Sequence, residues 1–191
     1  MKKQRCWWCG EDPLYVMYHD EEWGVPVRDD DKLFEFLTLE TFQAGLSWIT
    51  ILRKRENFRK AFDEFNYQKI ATYSEAKIEQ LLQDPGIIRN KLKVRATVSN
   101  AKAYLEVQKE FGSFSNYIWS FTEGVSIQNS FKSKEEVPAN TPLSDRISAD
   151  LKKRGFKFVG STVVYAHMQA TGMVNDHLTG CFRHSEVQKI K

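Results

Sequence analysis

The sequence predicts an all-α domain whose two ends are tied together. Apolar residues recur at helical spacing through most of the chain, between recognisable caps and stops. No run alternates convincingly as a half-buried strand does, and Phe156 to Val159 is the only place where one fits. Cys6 and His19 stand near the start, and His177 and Cys181 near the end, of a chain with three cysteines and four histidines.

The elements follow in order. Asp29, Asp30 and Asp31 precede Leu33, Phe34, Phe36 and Leu37, an acidic first turn leading into an apolar helix. A long helical pattern covers about 41–63, with Leu52, Phe58 and Phe62 on one side. Gly45 interrupts it, at a cost of about 1 kcal/mol relative to Ala in a helix interior. Ser74 can cap a helix running through Ile78, Leu81 and Leu82 to Gln83. A short hairpin, Asp84 to Asn90, leads into a helix through Val94, Val98, Ala101 and Leu105 that stops at Gly112. The segment 123–140 reads as loop. Thr141 and Pro142 start a helix as N-cap and first helical residue, and Gly155 stops it. A last helix covers about 160–171 and stops at Gly172.

A chain of 191 residues suits one domain, 1–191, with a substantial core. Hydrophobic content of 41% and charged content of 28% are those of an ordinary globular protein. No stretch is long enough for a transmembrane helix and the basic start has no apolar run behind it, so no membrane partner or signal peptide is expected. Three cysteines make a disulfide framework unlikely and the cytoplasm the expected compartment. The net charge of +3 does not by itself indicate nucleic acid, but cations cluster at Arg53 to Arg55, Arg89 to Arg95 and Lys152 to Arg154.

Thiolate and imidazole are preferred ligands of tetrahedral Zn2+, and four protein ligands leave no open position for catalysis. The two terminal pairs therefore suggest a structural zinc site, a staple from 6–19 and 177–181. The spacing of His177 and Cys181 suits one face of a helix. Cys9 and His184 also lie close in sequence, making six candidates for four places. The hairpin region, about 74–110, resembles a helix-hairpin-helix: Gly86 permits the tight turn, the amides opening the second helix can hold a phosphate, and Arg89, Lys91 and Lys93 add backbone attraction. Glu40 closes an apolar stretch beside Gln43, Gly45, Leu46 and Trp48. A nucleobase turned out of a duplex needs such a set: stacking surfaces on its faces and hydrogen bonds along one edge.

These residues sit within stretches that resemble the bacterial DNA-3-methyladenine glycosylase I (Tag) family of helix-hairpin-helix glycosylases. The matching blocks are DPLYVMYHDEEWGVP (12–26), LFEFLTLETFQAGLSWITILRKRENFRKAFDEF (33–65), DPGIIRNKLKVRATVSNAKAY (84–104), IWSF (118–121) and TPLSDRISADLKKRGFKFVGSTVVYAHMQATGMVNDHLTGC (141–181). The resemblance implies an all-α glycosylase fold. It implies an enzyme that hydrolyses the N-glycosidic bond of N3-methyladenine in double-stranded alkylated DNA, with free 3-methyladenine as product and no lyase step. It also implies one structural Zn2+ on Cys6, His19, His177 and Cys181, with Cys9 spare. Glu40 becomes the base-recognising residue and the one acid placed at the reaction. Trp48 and Tyr18 become stacking walls, Tyr15 and Trp8 further pocket aromatics, and Gly45 and Leu46 the loop entering the DNA stack. Gly86, Ile87, Arg89, Lys91 and Lys93 are the expected backbone contacts. A monomer suits approach to duplex DNA from one side. The family lacks the catalytic aspartate of many related enzymes, and Asp145, Asp150 and Asp176 receive no such role. Two rival readings remain: a non-catalytic zinc-stapled module that binds damaged DNA, and an enzyme acting on free methylated bases.

Overall fold

The computed structural model describes residues 3–43 and 45–190. Its elements are α1 (Pro13–Glu21), α2 (Asp30–Gln43), α3 (Trp48–Ala61), α4 (Tyr67–Ile70), α5 (Glu75–Gln83), α6 (Lys91–Phe111), α7 (Phe114–Ser120), β1 (Ile127–Gln128), α8 (Pro142–Lys153), α9 (Ser161–Ala170), β2 (Val174–Asn175) and α10 (Phe182–Val187). The all-helical expectation holds, with one small departure. β1 and β2 form a parallel two-residue ladder, Ile127 opposite Val174 and Gln128 opposite Asn175. Phe156 to Val159, the only place where a strand fitted the sequence, is turn and loop. A two-residue strand is too short to show alternation.

Helix α2 is the central post. Every residue from Leu33 to Phe42 is buried, Glu35, Thr38, Glu40 and Thr41 among them. A helix apolar nearly all round belongs in the middle of a core, and α2 packs against α3, α6, α7 and α9. Its first turn is tied down by Asp30. That carboxylate accepts the Phe114 and Ser115 amides, both at 2.8 Å, and Gln108 Nε2 at 2.6 Å, while the Tyr104 hydroxyl donates to the Asp30 carbonyl at 2.7 Å.

The expected helix over 41–63 is two helices. Gly45 has φ +84°, a left-handed conformation that ends α2 and lets α3 start afresh after Ser47. The chain thus turns between Gln43 and Trp48, with the Leu46 amide donating to the Gln43 carbonyl at 2.7 Å. The caps at Ser74, Asn90 and Thr141 form as side-chain oxygens accepting the Lys77, Lys93 and Ser144 amides. Gly112, Gly155 and Gly172 follow their helices with positive φ. Helices α1, α4, α7 and α10 carry too little periodicity to read from sequence. For α1 the signal was the capping pair: Asp12 accepts the Leu14 and Tyr15 amides, with Pro13 in the first helical position.

Candidate active site and metal group

A cavity of about 260 Å³ opens between α1, α2, the start of α3, α9 and the loop before α8. Half of the residues that line it are aromatic: Trp7, Trp8, Tyr15, Tyr18, Trp23 and Trp48. Every pocket residue expected from sequence is there. Tyr18 and Trp48 lie 5.6 Å apart between ring centroids, and Trp8 packs on Tyr15 and Trp23, each at 5.0 Å.

The floor carries one acid. Glu40 is 4% exposed and, among the described residues, receives no hydrogen bond. Burial alone pushes its carboxyl up to about 8, because removing a carboxylate from water disfavours the charged form. Burial, assisted by Glu40, raises the neighbouring Tyr18 well above its ordinary value. Burial first, then Cys9 and Glu40, takes Tyr15 up to about 12. The Trp48 indole nitrogen is also buried without a partner. The cavity therefore offers ring faces, neutral hydroxyls and one carboxyl waiting for a donor or a cation.

The sequence reading missed part of the wall. Val137 and Pro138 come from the 123–140 loop, which carried no pattern, and Ala166 and Gln169 come from one face of α9. Trp7 and Trp23 add two further rings from the N-terminal segment.

The terminal pairs do meet. Cys6, His19, His177 and Cys181 are all buried, and their ligand atoms lie within 4.8 Å of one another, so the group can hold a metal ion. Cys181 Sγ is 3.4 Å from His19 Nε2 and 3.6 Å from His177 Nδ1, and Cys6 Sγ is 3.6 Å from His177 Nδ1. Each imidazole turns its other nitrogen to an acceptor: His19 Nδ1 donates to Asp20 Oδ1 at 2.8 Å, and His177 Nε2 to the Trp23 carbonyl at 2.9 Å. Asp20 is held by Arg5 through two contacts of 2.8 and 2.6 Å, which together with His19 lower its carboxyl to about 2. The proximity of Cys181 and burial raise the Cys6 thiol, while Cys6 and the two imidazoles lower the Cys181 thiol.

His177 and Cys181 do not share a helix as expected. Cys181 caps α10 from a loop, and the turn, not a helix face, brings it beside His177. Cys9 is buried but outside the group, its Sγ donating to the Gly10 carbonyl at 3.6 Å, and His184 Nε2 donates to the Asn129 carbonyl at 2.8 Å. Six candidates thus reduce to four.

The expected DNA contacts divide. Gly45 turns the α2–α3 loop, and Leu46 is 38% exposed beside the cavity residues Gln43 and Trp48. Arg89 and Lys91 are exposed. One expectation is corrected: Lys93 is buried with its ammonium donating to the Phe42 carbonyl at 3.1 Å. The Ile87 side chain packs in the core, so any contact with DNA there is through its backbone. At position 93 the inward face of α6 wins over the charge, and the lysine braces the end of α2. At Gly86 the amide is taken by Asp84 Oδ1 at 2.7 Å, and the Pro85 and Gly86 carbonyls accept from Lys54. A second hairpin lies between α8 and α9. There Gly160 caps α9 without any side-chain bond, so the opening amides of α9 have no side-chain acceptor. Lys157 and Phe158 project from this hairpin, clasped through the Lys157 backbone by Asn100 at 2.7 and 3.1 Å.

The helical frame, the aromatic cavity with its single carboxyl and the comparisons with known proteins together place the chain among the all-helical glycosylases. The methyladenine glycosylase family matches residues 8–184, and the chain belongs to that family. It is 49% identical over 178 residues to DNA-3-methyladenine glycosylase 1 of Escherichia coli (strain K12), covering 93% of this chain and 95% of the relative. A crystal structure of 3-methyladenine DNA glycosylase I superposes with a TM-score of 0.91 at 52% identity, covering 94% of this chain and 98% of that one. The Staphylococcus aureus enzyme, whose structure addresses 3-methyladenine recognition, superposes with a TM-score of 0.89 at 35% identity, covering 92% and 95%.

Proposed function

We propose that the chain excises N3-methyladenine from alkylated double-stranded DNA by hydrolysing its N-glycosidic bond. The observation that carries this reading is the buried, unpartnered carboxyl of Glu40 on the floor of an aromatic cavity. Methylation at N3 makes the attached base a cation. Such a base brings Glu40 both the hydrogen-bond donor and the positive charge it lacks, while Trp48 and Tyr18 give π faces that attract cations. Neutral adenine brings the donor but not the charge.

The chemistry then needs little acid. The bond between base and C1′ breaks with its electron pair passing to the ring, which neutralises the cation. Water oxygen bonds to C1′ and a proton is released. Glu40 is the one carboxylate lining the cavity among the described residues, and its work is to select and hold the cationic base. The Gly45–Leu46 turn joins the cavity residues Gln43 and Trp48, and the exposed Leu46 is the side chain proposed to fill the space left by the extruded nucleotide. For the phosphates, exposed Arg89 and Lys91 near Gly86 remain candidates. The uncapped start of α9 with Lys157 is the stronger one, because helix-terminal amides without side-chain caps favour anions.

The metal is proposed to be one structural Zn2+. Zinc about 2.3 Å from sulfur and about 2.0–2.1 Å from nitrogen sets tetrahedral sulfur–nitrogen edges near 3.6 Å, and three of the four sulfur–nitrogen edges here are 3.4–3.6 Å, with all four ligand atoms within 4.8 Å of one another. Bound there, zinc fixes the termini and takes no part in the reaction. His177 and Trp8 link it to the cavity, through the Trp23 carbonyl and through a Trp8–His19 ring contact of 5.2 Å. No helix among the described residues is long and apolar enough to cross a membrane. Three free thiols suit the reducing cytoplasm, and action as a monomer suits a site open on one face.

Incubation with methylated duplex DNA, followed by chromatography of the released bases, tests the function. Free 3-methyladenine is the expected product. Binding of the duplex with no base released would favour a non-catalytic module.

A further inference from the structure

Gln169 and Asp176 are buried or half-buried polar residues that the glycosylase reading leaves without a role. Asp176 is 1% exposed and lies between β2 and the metal ligand His177. Its Oδ1 accepts from Asn129 Nδ2 at 2.7 Å, and its Oδ2 accepts from the Tyr165 hydroxyl at 2.6 Å and Gln169 Nε2 at 2.8 Å. With three donors converging on it, the carboxylate is occupied and cannot serve as a base toward the cavity. It also fixes the Gln169 amide. The nitrogen must face the carboxylate, since the carboxylate only accepts. That leaves the Gln169 Oε1 as the free end of a side chain that lines the cavity, and among the described residues no donor reaches it.

We propose that Gln169 is a specificity residue for the base, accepting a hydrogen bond from its exocyclic amine, and that Asp176 is the positioning residue that keeps the Gln169 carbonyl oxygen turned inward. The inference rests on the glycosylase reading and deepens it. An amine at the 6-position of a purine carries two hydrogens that diverge, and Glu40 and Gln169 supply one acceptor each. A methylated guanine has an oxygen at that position. It would meet two acceptors and find no donor, and a buried acceptor left unmatched is penalised. The cavity therefore selects the methylated adenine twice: Glu40 reads charge and amine together, and Gln169 reads the amine alone. A free amide would rotate and accept either base, so the Asp176 contact is what makes the reading one-sided.

The test uses one methylated duplex that contains both 3-methyladenine and 3-methylguanine. The rate of release of each base is measured for the unaltered protein, for Gln169→Leu and for Asp176→Asn, with the melting temperature of each variant. Gln169→Leu should lower kcat/KM for 3-methyladenine about fivefold to tenfold and leave 3-methylguanine unchanged or faster, so the ratio of the two narrows by that factor. Asp176→Asn should narrow the ratio in the same direction. Because Asp176 is buried, the Gln169→Leu result decides if that second variant fails to fold. A Gln169→Leu protein that melts normally and loses both activities in equal proportion, or neither, overturns the proposal while the glycosylase reading stands. An unaltered protein that releases neither base overturns both.

Discussion

The metal group and the base cavity share a wall, and both bury polar atoms, yet they are finished in opposite ways. Around Cys6, His19, His177 and Cys181 each polar group has somewhere to turn: the imidazoles to Asp20 and the Trp23 carbonyl, Asp20 to Arg5, the thiols to the imidazoles. Across the shared aromatic wall, Glu40 and the Trp48 indole nitrogen have no hydrogen-bond partner among the described residues. Leaving a polar group buried and unpaired costs about 1–3 kcal/mol, and more for a charged one. The first region spends its polar residues on holding the chain together. The second holds its polar residues open for a ligand and is less stable for doing so. Alterations in the two regions should therefore have opposite consequences.

The largest effect should come from the staple. Replacing one thiolate, Cys181→Ser, or removing metal with a chelator should cost about 4 kcal/mol or more of unfolding free energy, because metal binding is here folding free energy. Denaturant unfolding with and without chelator measures it. Cys9→Ser should change far less, since Cys9 stands outside the group. Equal stability of the chelated and untreated protein would break the contrast at its stronger end.

Glu40→Gln should do the reverse, and its pH dependence gives the sign. The folded carboxyl sits near 8 and an unfolded one near 4.5. Between these values the folded state binds more protons than the unfolded state, so stability falls as pH rises from about 4.5 to about 8 and then levels. The glutamine variant lacks that slope and should be more stable by roughly 2–4 kcal/mol above pH 8. Its excision of 3-methyladenine should fall about a hundredfold or more. In the unaltered protein kcat/KM should climb about tenfold per pH unit below 8, as the ionised carboxylate becomes populated, and flatten above it. A flat profile from pH 6 to 9, or a variant that keeps full excision, would remove Glu40 from the site.

How far this contrast was legible in the sequence differs between the regions for physical reasons. Metal ligands are rare residue types, so Cys6, His19, His177 and Cys181 stood among six candidates by scarcity, and the family resemblance rather than spacing chose them over Cys9 and His184. The central helix and its caps were legible because apolar period and capping chemistry are local. Glu40 was legible through its neighbours Gln43, Gly45, Leu46 and Trp48 and through the family resemblance, since an acid at the end of an apolar helix stretch would otherwise read as solvated. Gln169, Val137 and Pro138 were not, since only tertiary packing brings α9 and a patternless loop to the cavity. Lys93 misled for the opposite reason: residue type alone suggested a surface cation, and its position on the inward face of α6 decided otherwise.

The same contrast recurs on a smaller scale at the two hairpins. The start of α6 is finished: Asn90 accepts the Lys93 amide, Asp84 takes the Gly86 amide, Lys93 is buried and Arg95 is paired with Glu75 at 2.5 Å. The start of α9 is unfinished, with Gly160 as a cap that has no side chain and Lys157 free of any ion pair among the described residues. If unpartnered groups mark where a ligand binds, phosphate should prefer α9. Lys157→Ala should then weaken duplex binding by about 1 kcal/mol and shallow the plot of log affinity against log salt by about 0.9, one phosphate contact. Arg89→Ala should shallow it by less than half as much. Salt titrations of the two variants on unmodified duplex measure both slopes. A larger change at Arg89 would return the phosphate contact to the α5–α6 hairpin. It would also limit the contrast between finished and unfinished polar groups to the buried cavity, where desolvation makes an unmatched group costly, and away from the surface, where water supplies the missing partner.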